Sequence, residues 1–271
     1  MKNKLIFEFS KNKTDGDSSL NNLLGGKGAN LAEMSNMEIP VPPGFTITTE
    51  VCNYFTENKN LPNSLDNEIR QAVSKLENLS DKCFGGEGTP LLLSVRSGGR
   101  VSMPGMMDSI LNIGLNDSNV SQLAEAFNDE RFALDSYRRL IQMYSNVVLG
   151  VEHERFEAVL ANKKRMDNVV SDADFNVDQL NWIINAYKNT VERFTDSLFP
   201  QEPYEQLTGA IEAVFNSWQN KRAATYRKIN NIPDSWGTGA TIQTMVFGNL
   251  NDKSGTGCLL YTSDAADEPL C

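Results

Sequence analysis

The residue types best suited to chemistry in this chain lie in residues 91–108, LLLSVRSGGRVSMPGMMD. The apolar start is typical of a buried strand, and it places Arg96 at the carboxyl end of that strand. Gly98, Gly99 and Gly105 follow, and glycine lets backbone N–H groups approach a ligand that a β-carbon would exclude. Arg96 and Arg100 add fixed positive charge. The combination suits phosphate, although a strand that enters a glycine-rich turn is also ordinary in α/β proteins.

A second glycine-rich segment, residues 25–34, has the sequence GGKGANLAEM. Leu31 and Met34 are three residues apart, which predicts a helix with the glycines at its N-terminus. Free N–H groups and the helix dipole favour an anion there, and Lys27 can reach the same anion. The alternative is a plain glycine turn with a solvated lysine, since the full P-loop pattern is missing.

Other segments predict the elements that position these residues. Residues 4–9 and 45–47 are typical of strands, and Thr48 or Thr49 is expected to begin a helix. Residues 117–230 are almost wholly helical in pattern. Three apolar stripes are expected to face the core: Phe132, Tyr137, Leu140, Ile141, Tyr144, Val147 and Val148; Leu180, Ile183, Ile184, Tyr187, Val191, Phe194 and Leu198; Leu207, Ile211, Val214, Phe215, Trp218, Tyr226 and Ile229.

One of these predicted helices carries the neighbouring pair Arg138 and Arg139. Successive side chains on a helix point about 100° apart, so at most one of the two can share a given site. The alternative is two surface arginines that pair with Glu130 or Asp135.

Composition excludes several classes of function. A formal charge of −10 disfavours a general nucleic-acid or anionic-membrane surface, so any anion site must be local. No apolar run reaches 18 residues and the N-terminus does not resemble a signal peptide, so we expect a cytoplasmic protein without a membrane partner. Four cysteines without C-x-x-C spacing and a single histidine, His153, argue against a zinc site or a disulfide framework.

Several of these motifs resemble the N-terminal, ATP-binding domain of the pyruvate, phosphate dikinase family. They are SVRSG with SMPGMMD, GGKGANLAEM, PPGFTITTE, RFALDSYRR, NSWQNKRA, NIPDSWGT and TIQTMVFG. The resemblance covers nearly all of residues 4–257. The resemblance implies an α+β, ATP-grasp-like nucleotide-binding fold with a large helical insertion, incomplete at the C-terminus.

The resemblance also implies roles for particular residues. Lys27 and Arg96 correspond to catalytic residues that hold the ATP phosphates, with Gly98 and Gly105 in the same loop, and Arg139 corresponds to a third phosphate ligand. Gln243, Met245 and Val246 would offer backbone groups to the adenine edge. Gly255, Thr256 and Gly257 would belong to a glycine loop that closes over the phosphates.

By the same resemblance, the full-length enzyme converts ATP, pyruvate and phosphate into AMP, phosphoenolpyruvate and pyrophosphate through a phosphohistidine, with Mg²⁺, as a homodimer. The histidine and the Mg²⁺ ligands are expected outside this chain, which is therefore expected to be inactive alone. The alternatives are a water dikinase, such as phosphoenolpyruvate synthase, and a nucleotide-binding module without chemistry.

The expected domain organisation has five parts. An α/β ATP-binding subdomain spans residues 1–116, a helical subdomain 117–204, a helical return 205–237, and the start of a second ATP-grasp subdomain 238–257. Residues 258–271 are interpreted as an artefactual tail, because CLLYTSDAADE from Cys258 can be back-translated into a sequencing-adaptor sequence.

Overall fold

The computed structural model describes residues 4–250 and 253–255 of the chain. These residues divide into two compact units. The first unit contains residues 4–80, 93–109 and those described from 211 onward; the second contains residues 81–92 and 110–210. The part of the chain that carries Lys27 and Arg96 is in the first unit.

The first unit combines a mainly antiparallel sheet with helices. Its strands are β1 (Ile6–Phe9), β2 (Gly44–Ile47), β3 (Leu93–Gly98) and β5 (Gly239–Thr244). Its helices are α1 (Asn21–Asn36), α2 (Thr49–Asn58), α3 (Leu65–Ser80) and α9 (Lys221–Ile229). Strand β4 (Ser109–Ile113) leads out of this unit, and α8 (Pro203–Ser217) leads back into it.

The strands of the first unit lie in the order β1-β2-β5-β3, and every neighbouring pair among them is antiparallel. β5 is central, and it pairs Thr241 with both Thr46 of β2 and Arg96 of β3. Residues 239–244 were expected to open a second subdomain, but they instead complete the first sheet. The reason is physical: β2 and β3 have no direct ladder between them, and β5 satisfies the backbone groups on the facing edges of both.

The two faces of this sheet differ in chemistry. Phe45, Val95 and Ile242 are fully buried on one face and form part of the core. The opposite face carries Thr46 and Thr241, whose hydroxyl oxygens lie 3.4 Å apart in the interior. This alternation follows from the two-residue period of a strand, and it leaves a polar surface on the side of Arg96.

The second unit is helical, with α4 (Val120–Phe127), α5 (Glu130–Val147), α6 (His153–Asp167) and α7 (Val177–Thr195). The expected stripes on α5 and α7 are buried over most of their length. Phe194 and Leu198, at the end of the second stripe, are 46% and 75% exposed, so the prediction was wrong there, as it was for Ile229 at the end of α9. Phe194 is instead flanked by the guanidinium groups of Arg155 and Arg193, 4.7 and 5.7 Å from its ring centre.

Among the residues that the structure describes, no helix combines the length and apolar character needed to cross a membrane.

Candidate functional site

The site begins at a break inside α1. Gly25 has φ 70° and ψ 164°, so the helix stops there and starts again at the next residue. The N–H of Gly26 does not bond within the helix; it donates to the carbonyl oxygen of Gly99 at 2.8 Å. The glycine-rich helix start predicted from the sequence is therefore present, but one turn inside a helix that already began at Asn21. Lys27 lies on the first turn after the break.

Lys27 and Arg96 lie on the same side of β3. A β-carbon at Gly98 would be 3.5 Å from the β-carbon of Lys27, so this face of β3 looks toward α1. Arg96 precedes Gly98 by two residues in the same strand and therefore projects from the same face, about 7 Å away along the strand. Both cationic side chains are half-buried. Arg96 lies within β3, two residues before Gly98 at the carboxyl end of the strand.

The contact between α1 and β3 depends on glycine. A β-carbon at Gly25 would lie 1.7 Å from the carbonyl oxygen of Gly98, which no side chain can tolerate without backbone movement. A β-carbon at Gly28 would lie 2.7 Å from the hydroxyl oxygen of Thr46 on the polar sheet face. The close approach brings the restarted helix directly onto the strand that carries Arg96.

The loop that follows β3 is tied down at its start. The N–H of Gly98 donates to the hydroxyl oxygen of Thr238 at 3.1 Å. The side-chain amide of Asn21, in the first turn of α1, donates to the carbonyl oxygen of Arg100 at 3.2 Å. Together with the Gly26–Gly99 bond, these contacts hold residues 98–100 beside the helix restart.

The same loop is also fixed at its far end. The carboxylate of Asp108 accepts hydrogen bonds from Asn220 at 3.1 Å and from the guanidinium of Arg222 at 3.3 Å. Between the two anchors, Gly105 has φ 66° and space around its α-carbon, with no atom within 4 Å of a β-carbon placed there. The middle of the loop therefore has open space beside Gly105.

This arrangement is suited to holding an anion. Lys27 and glycine backbone lie where a helix begins again, and Arg96 projects from the strand face that looks toward this helix. Cationic side chains and the N–H groups of a helix start stabilise phosphate groups. Cys52 of the same unit offers no nucleophile, because burial raises the pKa of its thiol to about 11. The described residues also contain no group of three or more His, Cys, Asp or Glu side chains placed to hold a metal ion.

Arg139 lies in the second unit, on α5. Its Nε donates to Asp135 at 2.9 Å, and half of its side chain is exposed. The other oxygen of Asp135 binds Arg138, which is buried, at 2.7 Å. The two arginines do diverge around α5, and Arg139 is the one that faces solvent.

Replacing Asp135 by alanine is expected to destabilise the second unit by about 3 kcal/mol, because the buried Arg138 would lose its nearest carboxylate and keep the more distant one of Asp172, 3.9 Å away. Chemical denaturation of the variant measures this loss. The matched control is Glu152→Ala, which removes the carboxylate of the exposed Glu152–Arg155 pair and should cost less than about 1 kcal/mol. Equal losses in the two variants would contradict the assignment of Asp135.

The residues expected at the adenine edge divide into two groups. Gln243 lies within β5, where its carbonyl accepts from the hydroxyl of Ser94 at 3.3 Å and its side chain donates to the carbonyl of Pro42 at 2.9 Å. Met245 and Val246 follow the end of the strand, and Val246 is 70% exposed. Only these two therefore have backbone groups beyond the strand.

The expected closing loop is described only in part. Gly255 is exposed, whereas Thr256 and Gly257 lie outside the described residues.

Sequence reasoning missed three residues of the first unit that lie near this site: Thr46, Thr241 and Trp236. Thr46 and Thr241 form the polar floor of the sheet, and strand periodicity marks them as one face once the register is known. The ring of Trp236 lies 5.2 Å from the guanidinium carbon of Arg100. No pattern in the sequence indicates this contact. Only the fold brings Trp236 and Arg100 together.

Comparison with known proteins shows the family to which the chain belongs. Residues 21–83 and 57–268 match the profile of the family described as pyruvate phosphate dikinase, AMP/ATP-binding domain. The second range extends beyond residue 257, so this comparison places no boundary at Cys258. Similar proteins include the pyruvate, phosphate dikinase of Rickettsia prowazekii (strain Madrid E), 50% identical over 268 residues, and that of Clostridium symbiosum, 48% identical over 267 residues.

A chloroplastic pyruvate, phosphate dikinase of Mesembryanthemum crystallinum is 45% identical over 266 residues. Each of these three alignments covers 98% of this chain, but only 30%, 30% and 28% of the respective relatives. The chain thus spans about 30% of the length of the relatives that it matches.

Proposed function

Because the chain belongs to the family of pyruvate phosphate dikinase AMP/ATP-binding domains, we propose that its Lys27–Arg96 site binds the phosphates of ATP. The observation that supports this proposal is the position of Lys27 on the first turn after the helix break, next to the face of β3 from which Arg96 projects. Phosphate groups take charge-assisted hydrogen bonds from lysine and arginine, and the unpaired N–H groups of a helix start add to them.

The proposed role of this chain is to bind and position the nucleotide. Phosphoryl transfer depends mainly on holding the phosphates in place and neutralising their charge, and Lys27 and Arg96 supply both effects. We propose Gly98 and Gly105 as parts of the enclosing loop, and Arg139 as a further phosphate ligand. Met245 and Val246, with Gln243 before them, are proposed to face the adenine, and residues 255–257 to close over the phosphates.

The reaction of the whole protein is proposed from its relatives, which are named pyruvate, phosphate dikinases. In that reaction ATP, pyruvate and phosphate become AMP, phosphoenolpyruvate and pyrophosphate through a phosphohistidine. The relatives' name favours phosphate over water as the second acceptor. Mg²⁺ would neutralise phosphate charge, but the described site holds cations and glycine backbone rather than a carboxylate cluster, so it does not by itself fit the ion.

The binding test is direct. Isothermal titration calorimetry of the chain with ATP should show saturable binding, and Lys27→Met should weaken it about tenfold, because one charge-assisted contact is lost. Lys11→Met, which removes an exposed lysine of the same unit, is the control and should bind as the parent chain does. Absence of ATP binding by the parent chain would overturn the proposed function.

A further inference from the structure

Arg100 is held in an unusual environment beside the proposed phosphate site. Its guanidinium carbon lies 5.2 Å from the ring centre of Trp236, a distance typical of a cation–π contact. Its Nε is buried and has no hydrogen-bond partner in the described structure. A buried N–H donor on a permanent cation is costly unless an acceptor reaches it, so the geometry calls for an anionic oxygen.

The backbone of Arg100 places this donor next to the helix restart. Its carbonyl oxygen accepts from Asn21 at 3.2 Å and lies 3.9 Å from the position of a β-carbon at Gly26. Gly26 is the first residue after the break in α1 and immediately precedes Lys27. Arg100 therefore belongs to the same corner of the first unit as Lys27.

The turn that carries Trp236 is itself firmly anchored. The Asp234 carboxylate binds Nε and Nη2 of the fully buried Arg227 at 2.8 and 2.7 Å. The indole N–H of Trp218 donates to the carbonyl oxygen of Asp234 at 3.0 Å, and Asn53 donates to the carbonyl oxygen of Ser235 at 3.0 Å.

Trp218 links the turn of residues 234–236 to residues 98–100. Its ring stacks under the guanidinium of Arg227 at 4.3 Å, and its edge lies 3.8 Å from a β-carbon position at Gly99. Trp218 thus contacts both the turn and residues 98–100, and this shared contact holds Trp236 near residues 98–100.

We propose that Arg100 is a further phosphate-binding residue of this site and that Trp236 is the positioning residue that holds its guanidinium in place. The inference rests on the proposed ATP binding and adds a cation to it. Trp236 touches no phosphate in this arrangement; it restricts the arginine side chain before the ligand arrives, which lowers the entropic cost of binding.

Arg100→Met tests the charge, because methionine keeps an alkyl chain against Trp236 but removes the N–H donors. ATP affinity measured by calorimetry should fall about tenfold, and the affinity for inorganic tripolyphosphate should fall by the same factor. Arg70→Met, on the exposed face of α3, is the matched control and should change neither affinity. Should methionine lower the thermal midpoint, Arg100→Gln provides a second neutral variant.

Trp236 is tested by a pair of variants. Trp236→Phe keeps an aromatic face and should retain ATP and tripolyphosphate affinity within about twofold, whereas Trp236→Leu should weaken both about fivefold. Thermal unfolding separates this role from space filling: the two variants should have similar midpoints while only Trp236→Leu loses affinity, and affinity lost in step with stability would contradict the positioning role.

The outcomes separate the inference from the proposed function. If Lys27→Met loses ATP affinity while both neutral variants of Arg100 bind ATP like the parent chain, the inference is overturned and the proposed function stands. Loss of ATP affinity without loss of tripolyphosphate affinity also overturns it, because Arg100 would then not act on phosphate. A parent chain that binds neither ligand removes both proposals.

Discussion

Replacing Arg96 by methionine is expected to weaken ATP binding by about 100-fold, more than any other single side-chain change in the first unit. Arginine can bind phosphate oxygens through two parallel N–H groups, and each charged hydrogen bond contributes about 1.5–3 kcal/mol. Arg96 also projects from a central part of the sheet, so its backbone cannot shift to let another group take its place. Calorimetric titration with ATP measures the loss.

The same change should have a chemical consequence in a longer protein that contains this chain and a phosphorylatable histidine. Phosphorylation of that histidine by radioactively labelled ATP is expected to be abolished, because the phosphates of ATP would no longer be held in position. Arg70→Met is again the control and should label normally. Normal labelling of the Arg96 variant would remove this residue from the catalytic set.

Replacing Gly25 by alanine is expected to cost at least about 4 kcal/mol of folding free energy. The positive φ contributes a part of this loss, but the larger part comes from the β-carbon, which would lie 1.7 Å from the Gly98 carbonyl oxygen. The clash is with backbone, so neither α1 nor β3 can relieve it by a rotamer change. Denaturant unfolding followed by circular dichroism measures the effect.

Gly105→Ala separates the cost of a positive φ from the cost of the β-carbon clash. Gly105 has a similar φ of 66°, but nothing lies within 4 Å of its β-carbon position, so only the conformational strain remains. We expect a loss of about 1 kcal/mol for this variant. Similar losses for the two variants would show that α1 does not approach β3 as closely as described.

Local sequence patterns predicted the parts of this fold that depend on near neighbours. The strand at residues 45–47, the helix after Thr48 and the glycine-bearing helix start all follow from periodicity and residue type, and all are present. Lys27 and Arg96 could be singled out because glycine and cationic residues adjoin predicted element ends. These predictions depend only on residues that are close together in the sequence.

The rest of the site depends on pairings between distant segments. The position of β5 between β2 and β3 could not be read from residues 239–244, because a short apolar strand carries no information about its neighbours. The contact of Trp236 with Arg100 joins residues 136 positions apart. Phe194 shows a different limit: its spacing fits the core stripe, but it lies near the helix end, where arginines can cover it instead.

The late arrival of β5 has a consequence for how the protein folds during synthesis. Its partners, Gly44–Ile47 and Leu93–Gly98, are synthesised about 195 and about 146 residues before Gly239–Thr244, so the strand edges that face β5 stay unpaired until then. The helices of residues 120–195 make mostly local contacts and are expected to form in that interval. A nascent chain halted before residue 239 should therefore resist proteolysis in its helical segment while its unpaired strands remain open to cleavage or to chaperone binding.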